Sequence, residues 1–245
     1  MDKYNYHDFL AICGIGGAHP GGLALTKELL KELKFDQNSR ILDAGCGTGQ
    51  TSAYLAKKYG CEITALDRHP IMLQKAKKRF SNENATIHVV CGDVEDIPLA
   101  DESFDLILVE SVTVFTNIRK TIAEFARLLR IGGALFDLEM TAATPFSEKM
   151  MRAFQEVYGI AHVPTENEWR KLFKQAGFPS IEVVHENTVA NILDEQPVQT
   201  DTNELPDFDL SDSIDPSIYR IWDDHQQLTE KYADMMEYKV YRAMK

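Results

Sequence analysis

Short apolar runs recur along the chain at Arg40 to Asp43, Cys61 to Leu66, Ala85 to Cys91, Phe104 to Val109, Ala134 to Glu139 and Ser180 to His185. Each is a few residues long, rich in aliphatic and β-branched side chains, and bounded by Gly, Asp, Asn or Pro, which predicts strands. The stretches between them change period. Leu25, Leu29 and Leu33 follow an i, i+4, i+8 row, Ile118, Ile122 and Phe125 make a second apolar face, and Pro70 is placed as a first helical residue before Met72, Ala76 and Phe80. Thr165 and Glu168 form a capping box for a helix that runs to Gln175 and ends at Gly177. Pro216 opens a further helical pattern through Ile218, Ile221 and Trp222 toward Tyr232, and the alternation from Glu237 to Lys245 predicts a last strand. Strands alternating with helices predict an α/β fold, doubly wound, with a mainly parallel sheet covered on both faces. No internal repeat interrupts this rhythm, so residues 1–245 read as a single domain.

Two segments fall outside the alternation. Residues 1–22 combine Tyr4, Tyr6 and Phe9 with a glycine-rich loop from Gly14 to Gly22, too rich in glycine for regular structure on this reading. Residues 190–217 are acidic and read as an insertion or lid loop. The first segment has hinge glycines and enclosing aromatics, so it is the expected N-terminal lid.

Composition narrows the function. With 44% hydrophobic and 26% charged residues the chain has enough apolar material for a sizeable core, which excludes disordered and collagen-like classes. The net charge is −12, of which eight negative charges lie between Asn191 and Ser217, leaving −4 on the rest. That average field repels a polyanion, and no cluster of Lys and Arg stands out, so no nucleic-acid partner is expected. Cys13, Cys46, Cys61 and Cys91 are spaced for neither zinc nor a disulfide framework, so no metal is expected. The start of the chain lacks a basic region followed by an apolar one, and no run reaches membrane-spanning length. A cytoplasmic location without a membrane span is the expectation.

The most specific segment is Ile41-Leu42-Asp43-Ala44-Gly45-Cys46-Gly47-Thr48-Gly49, a buried strand entering a tight glycine turn and then a helix. Glycines there let backbone approach a ligand closely. The spacing is GxGxG rather than the GxGxxG that seats a pyrophosphate, which disfavours a dinucleotide and a nicotinamide-dependent oxidoreductase. Asp67 ends the next strand, where a carboxylate accepts from both ribose hydroxyls, so turn and acid together locate a nucleoside. Asp93, at the end of the third strand, is placed to accept from an adenine amino group.

With Ser103 to Glu110 as a fourth strand and Arg130-Ile131-Gly132-Gly133 leading into a fifth, the chain resembles the class I S-adenosylmethionine (SAM) dependent methyltransferases, in particular the small-molecule branch that includes quinone-biosynthesis enzymes. The resemblance runs from residue 39 to 139, and more loosely to Phe178. It implies a Rossmann-like sheet of seven strands, mostly parallel with an antiparallel last strand, and SAM as cofactor. Residue by residue it implies that Asp43 and the turn of Gly45, Gly47 and Gly49 hold the methionine part and Asp67 the ribose. Arg68 and Met72 then flank the adenine, Asp93 and Val94 complete the base pocket, and Glu110 lines the floor beneath the sulfonium. Cys46, inside the turn, counts with the cofactor site as a small filler, because methyl transfer needs no thiolate. Arg68 stands where the family often has an apolar residue, and Arg130-Ile131 replaces its usual Lys-Pro.

Methyl transfer is largely a matter of positioning. A hydroxyl, an acidic carbon or a protonated amine as acceptor also needs a proton removed, and His19, Glu110 and Glu139 are the candidates for that role. Tyr4, Tyr6, Tyr158, Trp169 and Trp222 are candidates for an aromatic pocket, with Trp169 equally placed to pack on its helix face. Aromatics beside an acidic surface also suit a cationic acceptor. A SAM-binding regulator without turnover and an RNA or protein methyltransferase are the competing readings. The latter calls for a basic surface or an added recognition domain, and the sequence displays neither.

Overall fold

A computed structural model of the chain describes residues 3–31, 33–194, 207–211 and 213–245. In chain order the elements are α1 (Tyr6–Cys13), β1 (Ile15–Gly16), α2 (Gly22–Leu30), β2 (Arg40–Ala44), α3 (Gln50–Tyr59), β3 (Glu62–Asp67), α4 (Pro70–Asn82) and β4 (His88–Cys91). They continue with β5 (Phe104–Glu110), α5 (Ile118–Leu128), β6 (Leu129–Ala142), α6 (Glu148–Tyr158), α7 (Glu166–Gln175), β7 (Ser180–Thr188), α8 (Val189–Asp194), β8 (Asp207–Phe208), α9 (Ser217–Tyr232) and β9 (Met236–Met244). Seven strands form one sheet in the order β4-β3-β2-β5-β6-β9-β7, and only β9 runs against its neighbours, between β6 and β7.

The strand residues explain this order. Ile41, Leu42, Asp43 and Ala44 are all buried, as are Leu106 to Val109, because both strands are covered on two faces. From β2 the chain winds outward through β3 to β4 and then returns to β5 on the opposite side of β2. The strand order reverses between β2 and β5, and the crevice beyond their carboxyl ends is the place where open α/β sheets bind ligands. One face packs Phe125, Phe154, Trp169 and Phe173 from α5, α6 and α7, and the other packs Leu25, Leu30 and Leu55 from α2 and α3. The Trp169 indole donates to the Met140 carbonyl at 3.2 Å, which fixes a buried N–H and makes this side chain packing rather than pocket wall. The expected capping box is present, with the Thr165 amide donating to Glu168 at 2.8 Å, and α7 gives way to Gly177 in a left-handed conformation.

Three local expectations are corrected. Residues 1–22 are not an irregular glycine loop: Asn5 and Asp8 make a capping box for α1, Gly14 ends it in the left-handed region, and Gly22 already begins α2. The fifth strand starts at Leu129, opposite Phe104, rather than at Ala134. Helix α6, capped by Ser147, lies in a stretch for which no element was expected. The two segments outside the alternation are also joined to one another. Ile15 pairs with Phe208 and Gly16 with Asp207, while the Asp209 and Ser211 amides donate to the carbonyls of Gly14 and Ile12 at 3.1 and 3.0 Å. Of the acidic stretch, Glu195, Asp201, Glu204 and Asp212 lie outside the described residues.

Gly49 caps α3 at φ +78°, and a Cβ there would lie 2.5 Å from the Phe80 ring of α4, whereas Gly132 has a similar φ of +81° with nothing within 4 Å. Gly132→Ala is therefore expected to cost about 1 kcal/mol of backbone strain, and Gly49→Ala about 1–3 kcal/mol more through overpacking. Urea unfolding of the two variants checks this. Equal midpoints would remove the steric role of Gly49.

Candidate active site

The site is built where β2 and β3 end. After Ala44 the chain turns, and the amides of Gly45 and Cys46 both donate to the Leu66 carbonyl, at 2.7 and 2.9 Å. Gly45 has φ +82°, and a Cβ on it would meet the Val112 side chain at 2.3 Å, so only glycine lets the turn and the segment after β5 come together. The Gly47 amide donates to Asp67 Oδ2 at 2.9 Å and the His69 amide to Oδ1 at 2.7 Å. Each carboxylate oxygen keeps a lone pair for a further donor. Burial pushes the Asp67 carboxyl above its ordinary range.

Two more acids stand close by. Asp43 is buried, accepts from the Ser52 hydroxyl at 2.5 Å, and is pushed up to about 7, first by burial and next by the charge of Glu110. Glu110 accepts from the hydroxyls of Thr26 and Thr51, the latter at 2.8 Å. His19 Nε2 lies 3.4 Å from Glu110 Oε1, within ion-pair range but without hydrogen-bond geometry, and Nδ1 faces the Pro20 carbonyl at 3.3 Å. The His19 side chain is only 4% exposed.

These groups share one cleft of about 940 Å³, counted with its open mouth. Asp43, Gly45, Cys46, Gly47, Asp67, Arg68, Met72, Val94, Glu110 and His19 line it, so most of the residues singled out from the sequence converge. Gly49, Asp93 and Glu139 do not line it. Gly49 faces Phe80, and Asp93 sits at the rim, accepting from the Glu95 amide at 3.0 Å with its other oxygen 3.4 Å from Arg68. Glu139 is fully buried and accepts from the amides of Val112, Thr113 and Val114 at 2.8, 2.6 and 3.1 Å. It thereby holds the turn Thr113–Phe115 that forms one wall, and burial pushes its own carboxyl up to about 7. Cys46 is buried, with its thiol pushed well up by burial.

Sequence reasoning brought His7, Leu10 and Ile15 to the site only as part of the N-terminal segment, and it did not single out Thr48, Gln50 and Thr51 beside the turn or Ser111, Val112, Phe115 and Thr116 after β5. Their one sequence signal was position, since the segment from Ser111 to Thr116 directly follows a strand that ends at the switch point.

The cleft suits a nucleoside joined to a cationic amino acid. Its depths hold the carboxyl groups of Asp43, Asp67 and Glu110, with Arg68 near the rim, and the buried Thr48 hydroxyl has no hydrogen-bond partner among the described residues. SAM carries a ribose diol, a sulfonium and an ammonium, which match these acceptors in type and charge. Among the described residues no group of side chains is arranged to hold a metal, and no helix is long and apolar enough to cross a membrane.

Comparisons with known proteins show the family and the fold. A sequence profile described as a methyltransferase domain matches residues 41–133. The uncharacterized methyltransferase YodH of Bacillus subtilis is 36% identical over 240 residues, covering 98% of this chain and 99% of that protein. O-methyltransferase rstn1 of Aspergillus nomiae is 31% identical over 163 residues, 64% of this chain and 72% of its own length. Phosphoethanolamine N-methyltransferase 2 of Haemonchus contortus, solved in complex with SAM, has the same fold with a TM-score of 0.73 at 16% identity, covering 97% of this chain and 56% of that one.

Asp43 supplies a pH test. Burial and the Glu110 charge push its carboxyl up to about 7 in the free protein, and a bound cation favours the ionised form and draws that value down. Binding SAM should therefore release a proton, so affinity should rise with pH up to about 7 and level off above it. S-adenosylhomocysteine, which lacks the sulfonium charge, should show a shallower slope. Calorimetry in buffers of different ionisation enthalpy measures the released proton, and equal slopes for the two ligands would refute the coupling.

Proposed function

The chain belongs to the class I SAM-dependent methyltransferases, and from that premise we propose that it methylates a small-molecule acceptor. When bound, the cofactor supplies an activated methyl group on a positively charged sulfur. The observation that carries the reading is Asp67, which fastens the glycine turn through Gly47 while keeping acceptor capacity toward the cleft.

The residues divide the work by position. Asp67 takes the ribose hydroxyls, Met72 and Val94 flank the base, and Asp43 and Glu110 face the cationic part. Glu110 is held by Thr26 and Thr51, and His19 stands against it with its other nitrogen turned to Pro20. That placement favours His19 as a residue that packs beside Glu110 and closes off water, over a base that receives a proton from the acceptor. Glu139 supports the wall from below. The joint cover of residues 3–22 and 207–211 shields the site, since a methyl donor needs a dry, shaped pocket. The small-molecule character of the acceptor follows the O-methyltransferase relatives and a net charge of −12 that disfavours a polyanion.

Methyl-labelled SAM offered with a panel of small hydroxylated acceptors tests the reading, transfer to one of them being the expected result. Asp67→Asn, which keeps one carbonyl for the turn, should weaken SAM binding about tenfold or more, as loss of a charged hydrogen-bonding group does. An unchanged affinity in the folded variant would take Asp67 out of the site. Deleting residues 1–18 removes α1 and β1 but none of the large sheet, so circular dichroism should retain the fold while transfer is abolished. Full activity of that truncated chain would end the role of the cover.

A further inference from the structure

At the end of β5 the backbone changes hand. Asn84, Glu102 and Ser111 are the described residues other than glycine with a left-handed φ, and of these only Ser111, at φ +59°, lines the cofactor cleft. Its amide still donates to the Leu138 carbonyl at 2.8 Å, as in a strand, and the chain turns after it. The turn decides what the wall presents. Successive residues of a strand point to opposite faces, yet Glu110, Ser111 and Val112 all line the same cleft. A left-handed residue between Glu110 and Val112 makes that possible, although its Cβ makes this conformation unfavourable for serine. Such a conformation persists where the surroundings over-determine it.

The adjacent strand supplies that determination. The short turn Thr113–Phe115 has no side-chain cap from the residue before it, so its leading amides need a partner from elsewhere. Glu139 is that partner: Oε1 accepts from the Val112 and Thr113 amides and Oε2 from that of Val114. These bonds start at the residue after Ser111. They fix the backbone on one side of it while the Leu138 carbonyl fixes it on the other.

Asp137 completes the clamp. It stands two residues from Glu139 on β6 and so on the same face, both side chains are fully buried, and the two carboxyl groups are hydrogen-bonded to each other. A bond between two carboxyl groups needs one proton. Three amides favour the charge on Glu139, so Asp137 carries the proton and donates, while it accepts from the Thr113 hydroxyl at 3.0 Å. Burial and the Glu139 charge push the Asp137 carboxyl well up, which agrees with that assignment. Lys239, opposite Glu139 on β9, is taken up by Glu166, Glu186 and Glu237.

Resting on the proposed function, we propose that Asp137 and Glu139 are positioning residues whose work is to hold Ser111 in its left-handed conformation, so that Glu110 and Val112 face the cofactor together. The strain at Ser111 is what the clamp works against. Removing the strain should therefore remove the need for the clamp.

The test measures S-adenosylhomocysteine affinity of the full chain by calorimetry in a double-mutant cycle. Glu139→Gln leaves one acceptor oxygen where the carboxylate has two and turns an N–H group toward an amide, so affinity should fall about tenfold or more. In the Ser111→Gly background, where glycine adopts the left-handed conformation without a Cβ penalty, the same substitution should cost about threefold or less. A residue needed only for packing would cost the same in both backgrounds. Asp137→Ala should resemble Glu139→Gln, and Asp137→Asn, whose amide still donates to Glu139, should restore the affinity lost in Asp137→Ala. Amide hydrogen exchange at Val112, Thr113 and Val114 reads the clamp without any ligand and should speed up about tenfold or more in Glu139→Gln. If Glu139→Gln alone does not fold by circular dichroism, the double variant S111G/E139Q is expected to fold. Failure of the unaltered chain to bind S-adenosylhomocysteine counts against the proposed function, and the clamp is then judged on hydrogen exchange. Equal losses in the two backgrounds, unchanged exchange at the three amides, or failure of both Glu139→Gln and the double variant to fold would each overturn it.

Discussion

The carbonyl of Leu66 is where two strands and a turn become a site. By accepting both the Gly45 and Cys46 amides it ties the loop after β2 to the last residues of β3, and Asp67, one residue further, ties down Gly47. Backbone groups that would otherwise be stranded at the strand end are satisfied in this way, which lets the turn be both buried and bare of side chains. The direction of α3, the placement of Asp67 over the cleft and the approach of Val112 all depend on that closure. A residue larger than glycine at position 45 would push Val112 away and open the floor.

Closure brings acids together at a cost. Asp43 feels burial and the Glu110 charge, and Asp67 adds a smaller like-charge contribution, so the cleft carries negative charge that a serine, two threonines and backbone amides offset inside it and Arg68 offsets beside Asp67. Charges held this way destabilise the ligand-free protein when ionised and reward a cation when one arrives. A similar logic operates beneath the wall with a different outcome. Glu139 spends its acceptor capacity on three consecutive amides of the turn after β5, while burial and the Glu139 charge push its neighbour Asp137 well up. Two buried carboxyl groups side by side thus shape a wall, whereas those of the cleft face a ligand.

The parts of this arrangement legible in sequence are those set by local pattern. Strands β2, β3 and β5 are buried on both faces, so they appear as apolar runs whatever surrounds them, and the glycine turn follows from its spacing. The roles of acidic residues were less legible, because they depend on where backbone amides point. Glu110 ends β5 and Glu139 lies one register step further along the adjacent β6, yet one lines the cleft and the other supports its wall. The N-terminal helix was obscured by the glycines that follow it, although Asn5 and Asp8 already carried its capping signal. Strands β1 and β8 have two residues each, too few for any period, and nothing in either segment announces the other.

That last pairing bears on how the N-terminal segment, which borders the cleft, is held in place. Residues 12–16 and 207–211 lie far apart in the chain, so joining them costs loop entropy that a two-residue ladder does not repay by itself. Helix α4 supplies the missing attachment. Lys75 directs its ammonium at the carbonyls of both Ile12 and Asp209, and Lys78 pairs with the Asp209 carboxylate at 3.0 Å. On the other side Phe9, Ile12 and Cys13 pack against Ile218 of α9, and Phe9 meets the Trp222 ring. Helix α4 begins just after Asp67 and carries Met72 in the cleft wall, so the element that pins the cover also borders the cofactor cleft. The paired segments and the cleft are thereby joined through α4, and displacement of one segment strips hydrogen-bond partners from the other.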